Sequence, residues 1–139
     1  MITTSDIADI LYGVCTSLGL PVFRKGYIPK GEVDSERVVI IPKEQTPETY
    51  WRKSFVEVNV CVPDIADGVA DISRLQELER LCRRVFVGKA GEHDGSYYAY
   101  SISSISGINE DDSMRCHYVN VRLLFEVLNT LEYETIYRN

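Results

Sequence analysis

Two stretches of strict alternation constrain this chain more than any other feature. Val56, Val58, Val60 and Val62 alternate with Phe55, Glu57, Asn59 and Cys61, and Val119, Val121, Leu123, Phe125 and Val127 alternate with Tyr118, Asn120, Arg122, Leu124 and Glu126. A period of two sends successive side chains to opposite faces, so each stretch reads as a strand with one buried face. The second, at about 10 to 12 residues, is longer than the usual strand. Arg37 to Ile41 and Tyr97 to Ile105 supply two more strands, and Val22 to Lys25 a short edge piece.

Elsewhere the period lengthens. Ile7, Ile10, Leu11, Val14 and Leu18 recur at spacings of three and four and predict a helix over residues 5–18, capped by Thr4 or Ser5 and stopped by Gly19. Ile72, Leu75, Leu78, Cys82 and Val85 form a second stripe, widened by Leu81 and Phe86. Arginines and glutamates fill the positions between them, which makes this an amphipathic helix. Ser73 with Gln76, or Asp71, caps its start, and Gly88 ends it. All five prolines fall in the first half, at 21, 29, 42, 47 and 63, where they mark loops and strand ends.

Two connections are long for hairpins, Pro42 to Lys53 and Gly107 to Arg115. The predicted order is helix, strand, strand, helix, strand, strand. That string implies an α+β fold, a mostly antiparallel sheet of about four strands with two helices packed on one face. At 139 residues the chain is one domain, with a core over 4–128 and an extended C-terminal segment over 129–139 whose role the sequence leaves unassigned.

Composition narrows the function classes. Fifteen basic against twenty-one acidic side chains give a net charge of −6, spread over both halves, which disfavours general nucleic-acid binding. Asp6, Asp9, Glu57 and Glu126 interrupt the apolar runs, so no membrane helix is expected, and the first residues lack the pattern of a signal peptide. Cys15, Cys61, Cys82 and Cys116 are widely spaced, and His93 and His117 have no partner at ligand spacing. No metal, no cofactor and reduced thiols are the expectation.

The ionisable residues give little chemistry. His93 beside Asp94 is the better candidate for catalysis, but Glu92-His93-Asp94-Gly95 reads more simply as a polar turn, and His117 as a solvated or hydrogen-bonded structural side chain. Gly88-Lys89-Ala90-Gly91 lacks the spacing of a phosphate loop, and Glu110-Asp111-Asp112 lacks that of a calcium loop. The aromatic residues say more. Tyr97, Tyr98 and Tyr100 put rings on both faces of one strand, and Tyr50, Trp51, Tyr133, Ile136 and Tyr137 lie outside the predicted core elements. Such side chains are suited to interfaces, or to burial beneath loops that fold back within the same chain. Tyr50, Trp51, Arg52, Tyr98, Glu110, Asp111, Asp112, Tyr133 and Tyr137 are therefore the candidate contact residues; no catalytic, cofactor or metal residues are assigned.

The segment from Tyr50 to Asp64, with its Val-x-Val-x-Val-Pro-like strand end at Val58 to Pro63, followed by Gly68, Ala70 and the helix from Ile72 to Phe86, resembles the phage tail-terminator or tail-completion proteins. The likeness extends over most of residues 4–128 and rests on element order and spacing. It implies a non-enzymatic virion protein, assembled in the bacterial cytoplasm. Such a protein forms a homo-oligomeric ring, typically a hexamer, on the end of the tail tube, stops its polymerisation and meets head-tail connector proteins. The other reading is a small-molecule or peptide-binding module, less favourably a hydrolase, built on the His93 loop with Asp94 and Lys89 in a cleft.

Overall fold

The computed structural model describes residues 2–47 and 51–128. Helix α1 spans Thr4–Cys15 and runs into a 3-10 turn at Thr16–Leu18. Strands β1 (Val22–Arg24), β2 (Arg37–Pro47) and β3 (Trp51–Pro63) follow, then helix α2 (Ile72–Val85) and strands β4 (Lys89–His93), β5 (Ser96–Asp111) and β6 (Cys116–Leu128). All six strands join one sheet in the order β1-β2-β3-β6-β5-β4. Among these described strands only β1 on β2 is parallel.

The expected four-strand α+β sandwich is thereby corrected. Among the described residues the sheet has six strands, curls into a half-barrel and dominates, with two short helices. The two supposed long loops are mostly strand: β2 continues to Pro47, β3 starts at Trp51, and β5 runs on to Asp111. Pro42 does not end β2, because the ladder breaks register between Pro42 and Gln45 and the bulge absorbs its missing donor. Of Gly88-Lys89-Ala90-Gly91, the last three residues lie in β4. Its hairpin with β5 closes on Asp94 (φ 51°) and Gly95 (φ 80°), two left-handed residues of the kind a tight two-residue hairpin turn requires.

Side-chain caps set the helix starts. The Thr3 hydroxyl accepts from the Asp6 amide at 3.1 Å, and the Asp6 carboxylate accepts from the Thr3 amide at 2.9 Å, a reciprocal box one residue ahead of the predicted cap. Asp71 caps α2 by accepting from the Arg74 amide, and Arg83 and Arg84 occupy its last turn, where cations suit the negative helix end.

The main core lies on one face of the sheet. Val56, Val58 and Val60 of β3 meet Val119, Val121, Leu123 and Phe125 of β6, and Ile7 and Leu11 of α1 with Leu75 and Leu78 of α2 and Phe86 just beyond it close over them. A smaller cluster of Val33, Val39, Cys61 and Cys116 sits separately.

The N-terminal cap gives a pH test. The Thr3 amide hydrogen bond holds the Asp6 carboxyl below its ordinary value of 3.8. A carboxyl whose folded value is depressed contributes stability above its unfolded value and loses it as pH falls through the folded one. Asp6→Asn is therefore expected to flatten the loss of stability below about pH 4 relative to wild type, as measured by urea unfolding at pH 7 and pH 3. Parallel acid limbs in the two proteins would count against this role.

Candidate functional site

The register of the sheet decides which face each polar side chain takes. Opposite the core, β3 and β6 pair Lys53 with Glu126, Phe55 with Leu124, Glu57 with Arg122, and Asn59 with Asn120. Asn120 donates to Asn59 at 2.7 Å, Lys43 stands 3.6 Å from Glu57, and the Arg122 guanidinium lies 3.9 Å over the Phe55 ring. Charge and amide pairing thus cover a face that would otherwise expose a strip of apolar strand.

The candidate contact residues separate to the two ends of the sheet. Trp51 pairs with Leu128 at one end, and Arg52 and Tyr98 flank Val127 in the next row. Trp51 is 38% exposed. Arg52 instead donates to the Ile2 carbonyl at 3.0 Å, tying the strand to the N-terminus. Tyr98 stacks on Phe125 with ring centroids 5.3 Å apart, and its ring lies over Gly91 of β4, where a Cβ would come within 2.6 Å of the hydroxyl. Both side chains therefore have work within the chain.

Glu110, Asp111 and Asp112 lie at the opposite end. Asp111 accepts from the Ser113 hydroxyl and the Met114 amide, closing the turn into β6. Glu110 and Asp112 are exposed. A hydrogen bond to Asp112, with its like charge, pushes the Glu110 carboxyl up. Tyr50, Tyr133 and Tyr137 lie outside the described residues.

Two arrangements escaped sequence reasoning. Cys61 and Cys116 meet on the polar side of the sheet, in a hollow of about 240 Å³ lined also by Arg37, Asp111 and Tyr118. Pro63 pairs with Cys116 and Cys61 with Tyr118, so the two thiols are diagonal neighbours across adjacent strands. The shared parity of the two alternating runs was the signal available. A hydrogen bond from the Cys116 thiol, aided by Arg37, lowers Cys61 below its ordinary value, and the same pairing raises Cys116. Burial pushes Cys15 and Cys82 up to about 12.

The second arrangement joins His117 to Asp64: the imidazole Nδ1 donates to the carboxylate at 2.6 Å, with both side chains buried. Asp64 follows Pro63 at the end of β3, and its amide donates to the Arg115 carbonyl, so the pair closes the end of the β3–β6 ladder. Among the described residues no hydroxyl or thiol is hydrogen-bonded to His117. His93 stands 3.7 Å from Asp6, and the cleft that includes Lys89 takes in neither His93 nor Asp94. Among the described residues no group of three or more His, Cys, Asp or Glu side chains could hold a metal ion, and no helix is long and apolar enough to cross a membrane.

Thiol reactivity follows from these environments, because the thiolate is the nucleophile. With iodoacetamide on the native protein near pH 8, Cys61 is expected to alkylate first, and Cys15 and Cys82 only after unfolding. Peptide mass spectrometry reads the order; equal rates at Cys61 and Cys15 would contradict it.

No protein-family model matches the chain. A trigger factor from Prochlorococcus marinus is 31% identical over 71 residues, which cover 46% of this chain and 15% of that protein. The match thus spans under a sixth of its length. A solved structure that carries only a sequence label for a name aligns with 84% of this chain and 85% of its own at a TM-score of 0.55 and 17% identity, a likeness of fold.

Proposed function

We propose that this protein is a structural component of a phage-like tail, one that forms a homo-oligomeric ring on the end of the tail tube, stops its growth and meets the head-tail connector, without catalysing a reaction. The observation that carries this reading is the segregation of exposed contact side chains to opposite ends of long paired strands. Trp51 marks one end of the β3–β6 pair, and Glu110 and Asp112 lie beyond the other. A ring needs two different patches on each subunit, because each copy must meet its neighbour heterologously. The resemblance supports the reading further in the alternation of helix, strands, helix and strands, to which β1 and β4 each add a strand beyond the expected pairs.

Electron microscopy of the purified protein, alone and with tail tubes, is expected to show rings or capped tube ends. A strict monomer that never caps a tube overturns the proposal. Trp51→Ala separates assembly from folding: the exposed ring is expected to cost under about 1 kcal/mol of stability while weakening ring formation. A large drop in melting temperature would place Trp51 in the fold instead of the interface.

A further inference from the structure

The charges of this acidic chain are unevenly placed along its sheet. At the end where β5 begins, Ile10, Val14 and Val85 floor a cleft of about 550 Å³ between α1, α2 and β4. Arg84 and Lys89 stand on its walls, and no carboxylate lines it. Both cations are exposed, and neither makes an ion pair or hydrogen bond among the described residues. Tyr100 also lines this cleft; it is 4% exposed, and its hydroxyl is buried without a partner.

The far end of β5 has the opposite character. Ile108 is 51% exposed, and Glu110 and Asp112 project beside it. Glu32, Asp34, Asp64 and Asp67 line an adjoining hollow of about 400 Å³, whose one cation, Arg115, is held 3.2 Å from Glu32. From Tyr98 to Asp111 the strand runs up to about 40 Å along its length at the usual rise per residue, on a sheet whose central pair is fixed. One molecule therefore cannot bring its own acidic tip to its own basic cleft.

We infer that the tip of the β5–β6 hairpin of one copy docks in the cleft between α1, α2 and β4 of the next. Ile108 would enter the apolar floor, and Glu110 and Asp112 would meet Arg84 and Lys89. The inference rests on the ring reading and names its subunit contact. An apolar side chain with two acids faces an apolar floor with two cations, and the two surfaces differ, as a heterologous contact requires. Crowding of Glu110 against Asp112 in the lone chain is relieved when cations arrive from outside.

A charge-swap experiment tests it. The cleft variant carries Arg84→Glu with Lys89→Glu, and the tip variant Glu110→Lys with Asp112→Lys. Association is read by sedimentation velocity at low salt, and as capped ends in micrographs where a tail tube is needed as template. Each variant alone is expected to associate at least about tenfold more weakly than wild type, and about 0.5 M salt to weaken wild type in the same sense. An equal mixture of the two variants should recover association, since each acidic surface again has a basic one to meet. Recovery also proves both variants folded. Variants that assemble as well as wild type overturn this contact and leave the ring standing, and a mixture that stays dissociated overturns the pairing of these two surfaces. A wild-type chain that never associates, alone or on tubes, overturns both.

Discussion

Thirteen residue pairs join β3 to β6, from Trp51 opposite Leu128 to Pro63 opposite Cys116, and their register governs what every other element can do. On one face it stacks Val56 on Leu123, Val58 on Val121 and Val60 on Val119, each fully buried beneath the helices. Burial of a side chain of this size is worth about 1.5–3 kcal/mol. A slip of β6 by one residue would turn Arg122 and Glu126 toward the core and Val121 and Leu123 toward solvent. The same register sets Glu57 opposite Arg122 and Asn59 opposite Asn120, brings Cys61 diagonal to Cys116, and leaves His117 beside Asp64 at the ladder's end. Polar pairs that close only in this register penalise the alternatives.

What the sequence makes legible is what has one wet and one dry face. The valines of β3 and the longer run of β6 announce themselves by period two, and α1 and α2 by their stripes. Beyond Ile105, which still packs against the core, β5 loses that signal because neither face is dry: Ser106 and Ile108 are exposed. Its bulges between Ile102 and Ser104, and between Ser106 and Asn109, also reset the alternation. A reading by period therefore stops short, and the strand from Ser106 to Asp111 passes for loop. β4 fails for a different reason. Lys89-Ala90-Gly91-Glu92-His93 has no strand propensity of its own, and it is held by its ladder to β5 and by the Tyr98 ring over Gly91.

The candidate contact residues divide in the same way. Side-chain type located Trp51, Glu110 and Asp112 at positions that are exposed, but it could not tell that Tyr98 would stack on Phe125 or that Arg52 would reach the Ile2 carbonyl. Those partners lie far off in the chain, on strands whose adjacency is a product of topology. The pairings of Cys61 with Cys116 and of His117 with Asp64 are hidden for the same reason. Each requires knowing that β3 and β6, separated by α2 and two strands in sequence, are neighbours in the sheet.

The sheet's two edges bear on how copies could join. β1 is three residues long, and β4 is five. Each covers only part of its neighbour: β1 pairs with β2 from Val38 to Ile40, and β4 with β5 from Ser96 to Tyr100. The bulges in β2 between Pro42 and Gln45 and in β5 beyond Ile102 interrupt the backbone left beside them, which discourages the open-ended strand addition that a long flat edge would invite. Contact between copies is thus steered toward the side chains at the ends of the sheet. For a ring, this matters more than affinity, because a heterologous contact closes only if each copy turns by a fixed angle relative to the last, and otherwise runs on as a filament. The angle between the cleft and the hairpin tip is set by the curl of a sheet whose central pair is locked over its full length. In the ring reading, the rigidity of that pair is what converts a charge-steered contact into a closed count of subunits.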